Sequence, residues 1–270
     1  MYGIVIFEMR RMIANFLFFF YLVFMSCSLP LSIGLQSAYK ANKSVWADSV
    51  IYIATRQTEL ICVDASCMPL GVSYGAGTSF AVDNIGGNTI LMTAAHLCYP
   101  YLPAASQTSV MEGLATLETQ FDMSIVIGET AIPIDNVLYV DEEKDICTFS
   151  IPLDIARGMR IAKKNPTYGE EVWSIGAPAG YFPESAKPIT KGMFSGEAVR
   201  INKDNQKLEF FNFSMPTIGG MSGSPIVNSD GEVIGLVSAV NSSWHMVSFS
   251  PTLNQIREAL DITIRKLNSE

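Results

Sequence analysis

Short apolar runs broken by turn residues fill most of this 270-residue chain, and they constrain its fold more than any other feature. A first set lies between about residues 49 and 151: SVIYIATR, GTSFAVD, TILMTAAH, MSIVIGE, VLYVD and ICTFSIP. A second lies between about 172 and 249: EVWSIGAP, ITKGMFSGEAV, KLEFFNFSM, SPIVNS, EVIGLVSAV and HMVSFS. Runs this short, rich in Ile, Val, Phe and Thr and bounded by Gly, Asn, Asp and Pro, read as strands. The fold class is therefore all-β, and two sets of about six strands predict two six-stranded antiparallel β-barrels. A polar, Pro-containing stretch, Arg157 to Gly169, is the expected link between them. No repeat of fixed period is present, and the length suffices for one large or two modest domains without disulfides.

The period changes at the end. Leu253, Ile256, Leu260, Ile264 and Leu267 recur at three- and four-residue spacing, which predicts an amphipathic helix over 251–268, with Pro251 near its first position. It is expected to dock on the second barrel. The start differs again: Arg10 and Arg11 precede the uncharged stretch Met12 to Met25, followed by Ser26-Cys27-Ser28. That order is a secretory signal, with cleavage expected after Ser28, or, if the uncharged residues through Ala38 are counted, a membrane-spanning signal anchor. The domain expectation is thus a signal or anchor at 1–40, a first barrel at 45–156, a second at 170–250, and the helix. The protein is expected to be exported, periplasmic or extracellular, or anchored in a membrane through residues 12–35.

A net charge of −8 and scattered basic residues give no footprint for nucleic acid. Cys62 and Cys67 could close a small loop, Cys98 has no evident partner, and Cys147 lies in an apolar run that suits a buried free thiol. The cysteines and the two histidines do not complete a metal site, so no metal and no cofactor are expected.

Chemistry-bearing residues fall at three places. His96 ends an apolar strand in Thr93-Ala94-Ala95-His96, where small neighbours leave room for an imidazole facing a cleft. Asp145 opens Asp145-Ile146-Cys147-Thr148-Phe149, a charge at the mouth of an apolar strand and close to Asp141, Glu142 and Glu143. Ser222 lies in Gly219-Gly220-Met221-Ser222-Gly223-Ser224-Pro225, whose glycines permit a tight turn that exposes a hydroxyl. A hydroxyl, a base and an acid to orient the base are what acyl transfer through a covalent intermediate needs.

These segments resemble the chymotrypsin superfamily of trypsin-like serine peptidases. TAAH resembles its histidine motif, DICTFSI its aspartate followed by an apolar strand, and GMSGSP its nucleophile motif, in that order. SIGAPAG, ITKGMFSG, SPIVNSDGEVIGLVSAV and FSP are similar to the Deg, or high-temperature-requirement, type without its PDZ domain. The resemblance covers about residues 45 to 268. It implies a serine endopeptidase acting on polypeptides, with Ser222 as nucleophile, His96 as general base and then acid, and Asp145 holding the imidazole tautomer. It further implies an oxyanion hole from the N–H groups of Gly220 and Ser222, a supporting hydroxyl on Ser238, and a substrate-pairing strand at Ala239-Val240-Asn241. Met221 and Ser224 depart from the family's usual residues at their positions, and no Cys directly follows His96.

By the same resemblance Pro216 lies at the base of the pocket for the residue before the scissile bond, and Val240 narrows its entrance. Neither carries charge, so a small or medium apolar residue is expected there; His245 could instead turn the pocket toward acidic residues. The alternative reading is an inactive protease fold retained as a binding module. An α/β-hydrolase elbow is excluded, because the second residue after Ser222 is Ser224 rather than Gly.

Overall fold

A computed structural model describes residues 46–63, 66–99, 116–183, 187–202, 204–240 and 246–269. The expected signal or anchor, His245 and the side chain of Val240 lie outside these residues. Among the described residues no helix is long and apolar enough to cross a membrane.

The region of the first set forms β1 (Val50–Val63), β2 (Ser66–Ile85), β3 (Asn88–Thr93), β4 (Thr116–Ile127), β5 (Thr130–Pro133), β6 (Asn136–Asp141) and β7 (Ile146–Ile151), of which β5 lies outside every apolar run. They hydrogen-bond in the order β5-β4-β1-β2-β3-β7-β6, all antiparallel. The two edge strands, β5 and β6, are separated in the chain only by Ile134 and Asp135. One nearly continuous stretch therefore serves both edges, and the sheet closes on itself. The second set forms β8 (Glu171–Ile175), β9 (Ile189–Ile201), β10 (Lys207–Ser214), β11 (Pro225–Val227), β12 (Val233–Leu236), β13 (Ala239–Val240) and β14 (Val247–Pro251). Their order is β12-β11-β8-β9-β10-β14-β13. Here too the edges, β12 and β13, are consecutive, joined by Val237-Ser238, and the sheet closes in the same way. Each sequence set is a closed antiparallel barrel in which a seventh element arises because one strand is split between the two edges.

The apolar runs explain the cores. Every residue of β7 and most of β3 is buried, and Phe80, Phe149, Ile53, Ile90 and Met92 fill the first barrel. Phe194, Phe211 and Phe213 fill the second, with ring centroids 5.1 to 6.4 Å apart in tilted and edge-on contacts. Each such ring contributes roughly 1.5–3 kcal/mol by burial alone.

The Arg157–Gly169 stretch runs between the barrels and straps one to the other, with Met159 N–H donating to Ala81 O at 2.8 Å and Ala162 N–H to Val233 O at 2.9 Å. Other expectations are corrected. The helix, α1 (Leu253–Leu267), begins after Thr252, whose hydroxyl and Gln255 form a reciprocal cap; Pro251 is the last residue of β14. Nor does α1 dock only on the second barrel. Leu253 joins the second core, but Ile256 and Ala259 join the first, and Thr263 Oγ1 lies 2.6 Å from Thr148 Oγ1 of β7. Its stripe is long enough to reach both. Cys147 is not a free thiol: it is bonded to Cys98, while Cys62 is bonded to Cys67 at the β1–β2 turn.

Candidate active site

Strand β3 ends at Thr93, and the buried Ala94 and Ala95 turn the chain into a 3-10 turn, Ala95–Leu97, that carries His96. Leu97 anchors the turn so closely to Gly77 that a Cβ there would fall 2.2 Å from its Cδ1. Asp145 comes from the β6–β7 turn with φ of 56°, a left-handed conformation that Asp tolerates better than most residues and that turns its carboxylate toward His96. The carboxylate accepts from His96 N–H at 2.9 Å and lies 3.0 Å from Nδ1 through both oxygens. Ser238 Oγ donates to Oδ2 at 2.6 Å. Because an ionised carboxylate only accepts, Nδ1 carries the proton in the neutral ring and Nε2 keeps its lone pair for the cleft. The side-chain exposures, 40% for His96 and 17% for Asp145, make the ring accessible and its partner shielded.

Ser222 sits in the turn between β10 and β11, half-buried, and its hydroxyl has no hydrogen bond to His96 among the described residues. The turn is set by two glycines. Gly220 has φ of 90°, and a Cβ on it would lie 2.1 Å from Ala177 O; Gly223 has φ of 81°, and a Cβ on it would lie 2.0 Å from Thr78 O. Gly223 also packs within contact of Thr93 and Ala94, so the residue after Ser222 touches the residues just ahead of His96. Gly219 O accepts from Ala179 N–H at 2.7 Å, and since a trans peptide points its N–H opposite to its C=O, Gly220 N–H faces away from the Ala177–Gly180 loop. Among the described residues neither Gly220 N–H nor Ser222 N–H is used in the backbone bonds that hold the turn.

The remaining predicted residues separate. Ala239 is exposed on β13, an edge strand paired on one side only, through Ala239 with Phe249 and Val240 with Ser248. Pro216 is exposed between β10 and the nucleophile turn. A cavity of about 540 Å³ opens beside His96, Asp145 and Ser238, and among the described residues neither Ser222 nor Pro216 lines it.

Sequence reasoning missed Thr78, a fully buried residue of β2. Its N–H donates to Ser222 O at 2.9 Å, its Oγ1 donates to Gly220 O at 3.0 Å and accepts from Ala177 N–H at 3.1 Å, and its carbonyl accepts from Thr93 Oγ1 at 2.7 Å. A Thr in a buried strand just after a Gly was the only signal. It also missed Tyr99, whose phenol is pushed up by burial and then by the charges of Glu142 and Asp145.

A barrel pair with this His–Asp–Ser238 cluster and glycine-framed serine turn is the architecture of a chymotrypsin-like protease. The chain belongs to the trypsin-like peptidase domain family, whose profile it matches over residues 77–236. It is 24% identical over 224 residues to the mitochondrial serine protease HTRA2 of Drosophila erecta, covering 82% of this chain and 46% of that protein. To the same protein of Drosophila willistoni it is 26% identical over 219 residues, covering 80% and 44%. The chain thus spans less than half the length of these relatives. Among solved structures, the serine endoprotease from Yersinia pestis superposes with a TM-score of 0.56 at 16% identity, over 88% of this chain and 68% of that one. The active form of a Mycobacterium tuberculosis protease gives 0.55 at 16% identity, over 80% and 82%. At that identity the likeness is one of fold.

Proposed function

We propose that this chain is a serine endopeptidase that cleaves polypeptides through an acyl-enzyme, with Ser222, His96 and Asp145 as its triad. The observation that carries the reading is the His96–Asp145–Ser238 cluster, which leaves Nε2 as a base in the cleft. His96 Nε2 takes the Ser222 proton as Oγ attacks the substrate carbonyl, and the N–H groups of Gly220 and Ser222 hold the resulting oxyanion. The tetrahedral intermediate collapses, the protonated imidazole gives its proton to the departing amine, and the acyl-enzyme is left on Ser222. Water, deprotonated by His96, then releases the acid and restores the serine. Asp145 stays ionised and stabilises the imidazolium.

The open edge of β13 suits a substrate added as a strand along Ala239 and Val240. The uncharged Pro216 and Val240 favour a small or medium apolar residue before the scissile bond. Residues 1–40 are proposed to export the protein or anchor it, supported by the Arg-Arg and apolar order alone. N-terminal sequencing of protein from its native host tests this, and an intact, soluble cytosolic chain overturns it.

Labelling with a fluorophosphonate probe tests the chemistry and separates it from the binding-module reading. Label on the wild type and none on Ser222→Ala is expected, with peptide hydrolysis reduced by several orders of magnitude in Ser222→Ala and nearly as much in His96→Ala. A Ser222→Ala sample that still turns over, or a wild type that takes no label, would sink the assignment.

A further inference from the structure

The cavity beside His96 has walls that neither the proposed triad nor the proposed pocket for the residue before the scissile bond explains. The geometry points to a second specificity subsite: the cavity receives a basic side chain of the substrate, upstream of the residue whose carbonyl is attacked, with Glu142 and Glu143 selecting it. This rests on the endopeptidase reading and deepens it.

Position comes first. The cavity touches His96 and Ala239 but not Ser222 or Pro216, so it lies along the line of a strand added to β13 and beyond the pocket for the reacting residue. Both barrels supply its walls: the β6–β7 turn gives Glu142 and Glu143, and β9 and β10 give Ala198, Arg200 and Phe210.

Chemistry comes second. Arg200 is already engaged, since its guanidinium donates to Glu143 O at 3.1 Å and lies over the Phe210 ring with Cζ 5.1 Å from the centroid. The Glu143 carboxylate accepts from Asn202 Nδ2 at 2.6 Å, an uncharged donor that brings no compensating charge. Glu142 has no hydrogen bond or ion pair among the described residues, yet its charge reaches into the cavity, where it helps push the Tyr99 phenol up. Together with Asp145, three carboxylates face one guanidinium. Apolar surface comes from Phe210, Phe249, Ala198, Val199 and Ala239, beside the His96 ring, the Tyr99 phenol and the Ser238 hydroxyl that is turned to Asp145. Apolar walls leading to carboxylates at a solvated rim match a Lys or Arg side chain, which buries its methylenes and keeps its charged head near water. An acidic side chain would meet like charge, and a neutral aliphatic one would leave the rim unused.

Since the rim is exposed, the gain is moderate: about five- to tenfold in kcat/KM for Lys or Arg over norleucine at a fixed upstream position, shrinking as salt rises. The test uses the full chain and fluorogenic peptides that differ only by Lys, Arg, norleucine or Glu at each upstream position. At low salt the wild type is expected to prefer Lys and Arg at one of them. The ratio should collapse toward one in Glu142→Gln/Glu143→Gln and turn toward Glu in Glu142→Lys/Glu143→Lys. The same peptides are titrated by fluorescence anisotropy into Ser222→Ala, which reads the subsite without turnover. Lys tighter than norleucine there, lost when Glu142→Gln/Glu143→Gln is added, supports the subsite even if the endopeptidase reading fails. Equal binding and equal turnover of Lys and norleucine peptides, or a preference that survives both double variants, overturns it while leaving the triad intact.

Discussion

Thr78 binds the carbonyls of both Gly220 and Ser222, so one side chain and its own N–H set the Gly220–Met221 and Ser222–Gly223 peptide units, which bracket Met221 and Ser222. Its hydroxyl sits in the first barrel and the turn it holds sits in the second. Thr78 acts through the turn and touches no reacting atom, which makes it a positioning residue. Thr78→Val keeps the shape and removes the hydroxyl, leaving the Ala177 N–H without its acceptor. Losing such a buried bond costs about 1–3 kcal/mol, so kcat should fall about ten- to a hundredfold with KM little changed, and Thr78→Ser should restore most of it. Steady-state kinetics on the three proteins decide this; a drop confined to KM counts against the role. Beyond the preceding Gly77 little in the sequence around Thr78 announces it, because the partners of its hydroxyl lie 99 and 142 residues away. His96 and Ser222 stand out in the sequence through the resemblance of TAAH and GMSGSP to a family's motifs, since small neighbours or a glycine-rich turn alone would not single them out. Four acids crowd the stretch from Asp141 to Asp145, of which Asp145 alone leads directly into the apolar strand, and the structure pairs Asp141 with Lys144 while Asp145 meets His96.

At the scale of elements, the Cys98–Cys147 bond ties the turn after His96 to the strand after Asp145, with each cysteine two residues beyond its functional neighbour. The bond closes a loop with a sequence separation of 49, for which the chain-entropy estimate is about 4 kcal/mol. Cys98→Ala/Cys147→Ala is expected to lower Tm by several degrees and to reduce kcat, as the His96–Asp145 spacing loosens. An unchanged Tm with unchanged kcat, measured by calorimetry and peptide assay, would show the bond to be idle. The apolar runs revealed nearly every strand. They missed the short edge strand β5, the far ends of β1 (57–63) and β4 (116–122), and the outer part of β2, residues 66–76, where Pro69, Gly71 and Gly75 read as breakers. Those residues are tolerated because this stretch pairs only with β1 and a register shift at Glu59/Leu60 accommodates Pro69. The reach of α1 onto the first barrel was equally hidden, since an apolar stripe shows which face is buried and not what covers it.

Across the whole molecule the candidate site is divided, with His96 and Asp145 in one barrel and Ser222 and Ser238 in the other, so its geometry depends on what holds the barrels together. Helix α1 is one such tie. Lys144, in the same turn as Asp145, pairs with Asp141 at 3.2 Å and reaches Glu258 of α1 at 3.3 Å. Burial alone would raise the Asp141 carboxyl, but the Lys144 N–H, its ammonium and the Tyr139 hydroxyl outweigh burial and hold it below its ordinary value. Burial alone would lower Lys144, but Asp141 and Glu258 outweigh it and raise the ammonium. The signs fix the window. A depressed carboxyl contributes stability above its unfolded value and loses it as pH falls through the folded one. A raised ammonium contributes below its unfolded value and loses it as pH rises through the folded one. The tie is therefore whole between the ordinary carboxylate and ordinary lysine ranges and weakens on both sides. In Lys144→Met the acid limb of the stability curve should be shallower than in the wild type, because the Asp141 carboxyl no longer gains an ammonium on ionising. Denaturant unfolding of both proteins at a series of pH values from 3 upward tests this, and parallel acid limbs would show that the turn carrying Asp145 does not draw on this tie.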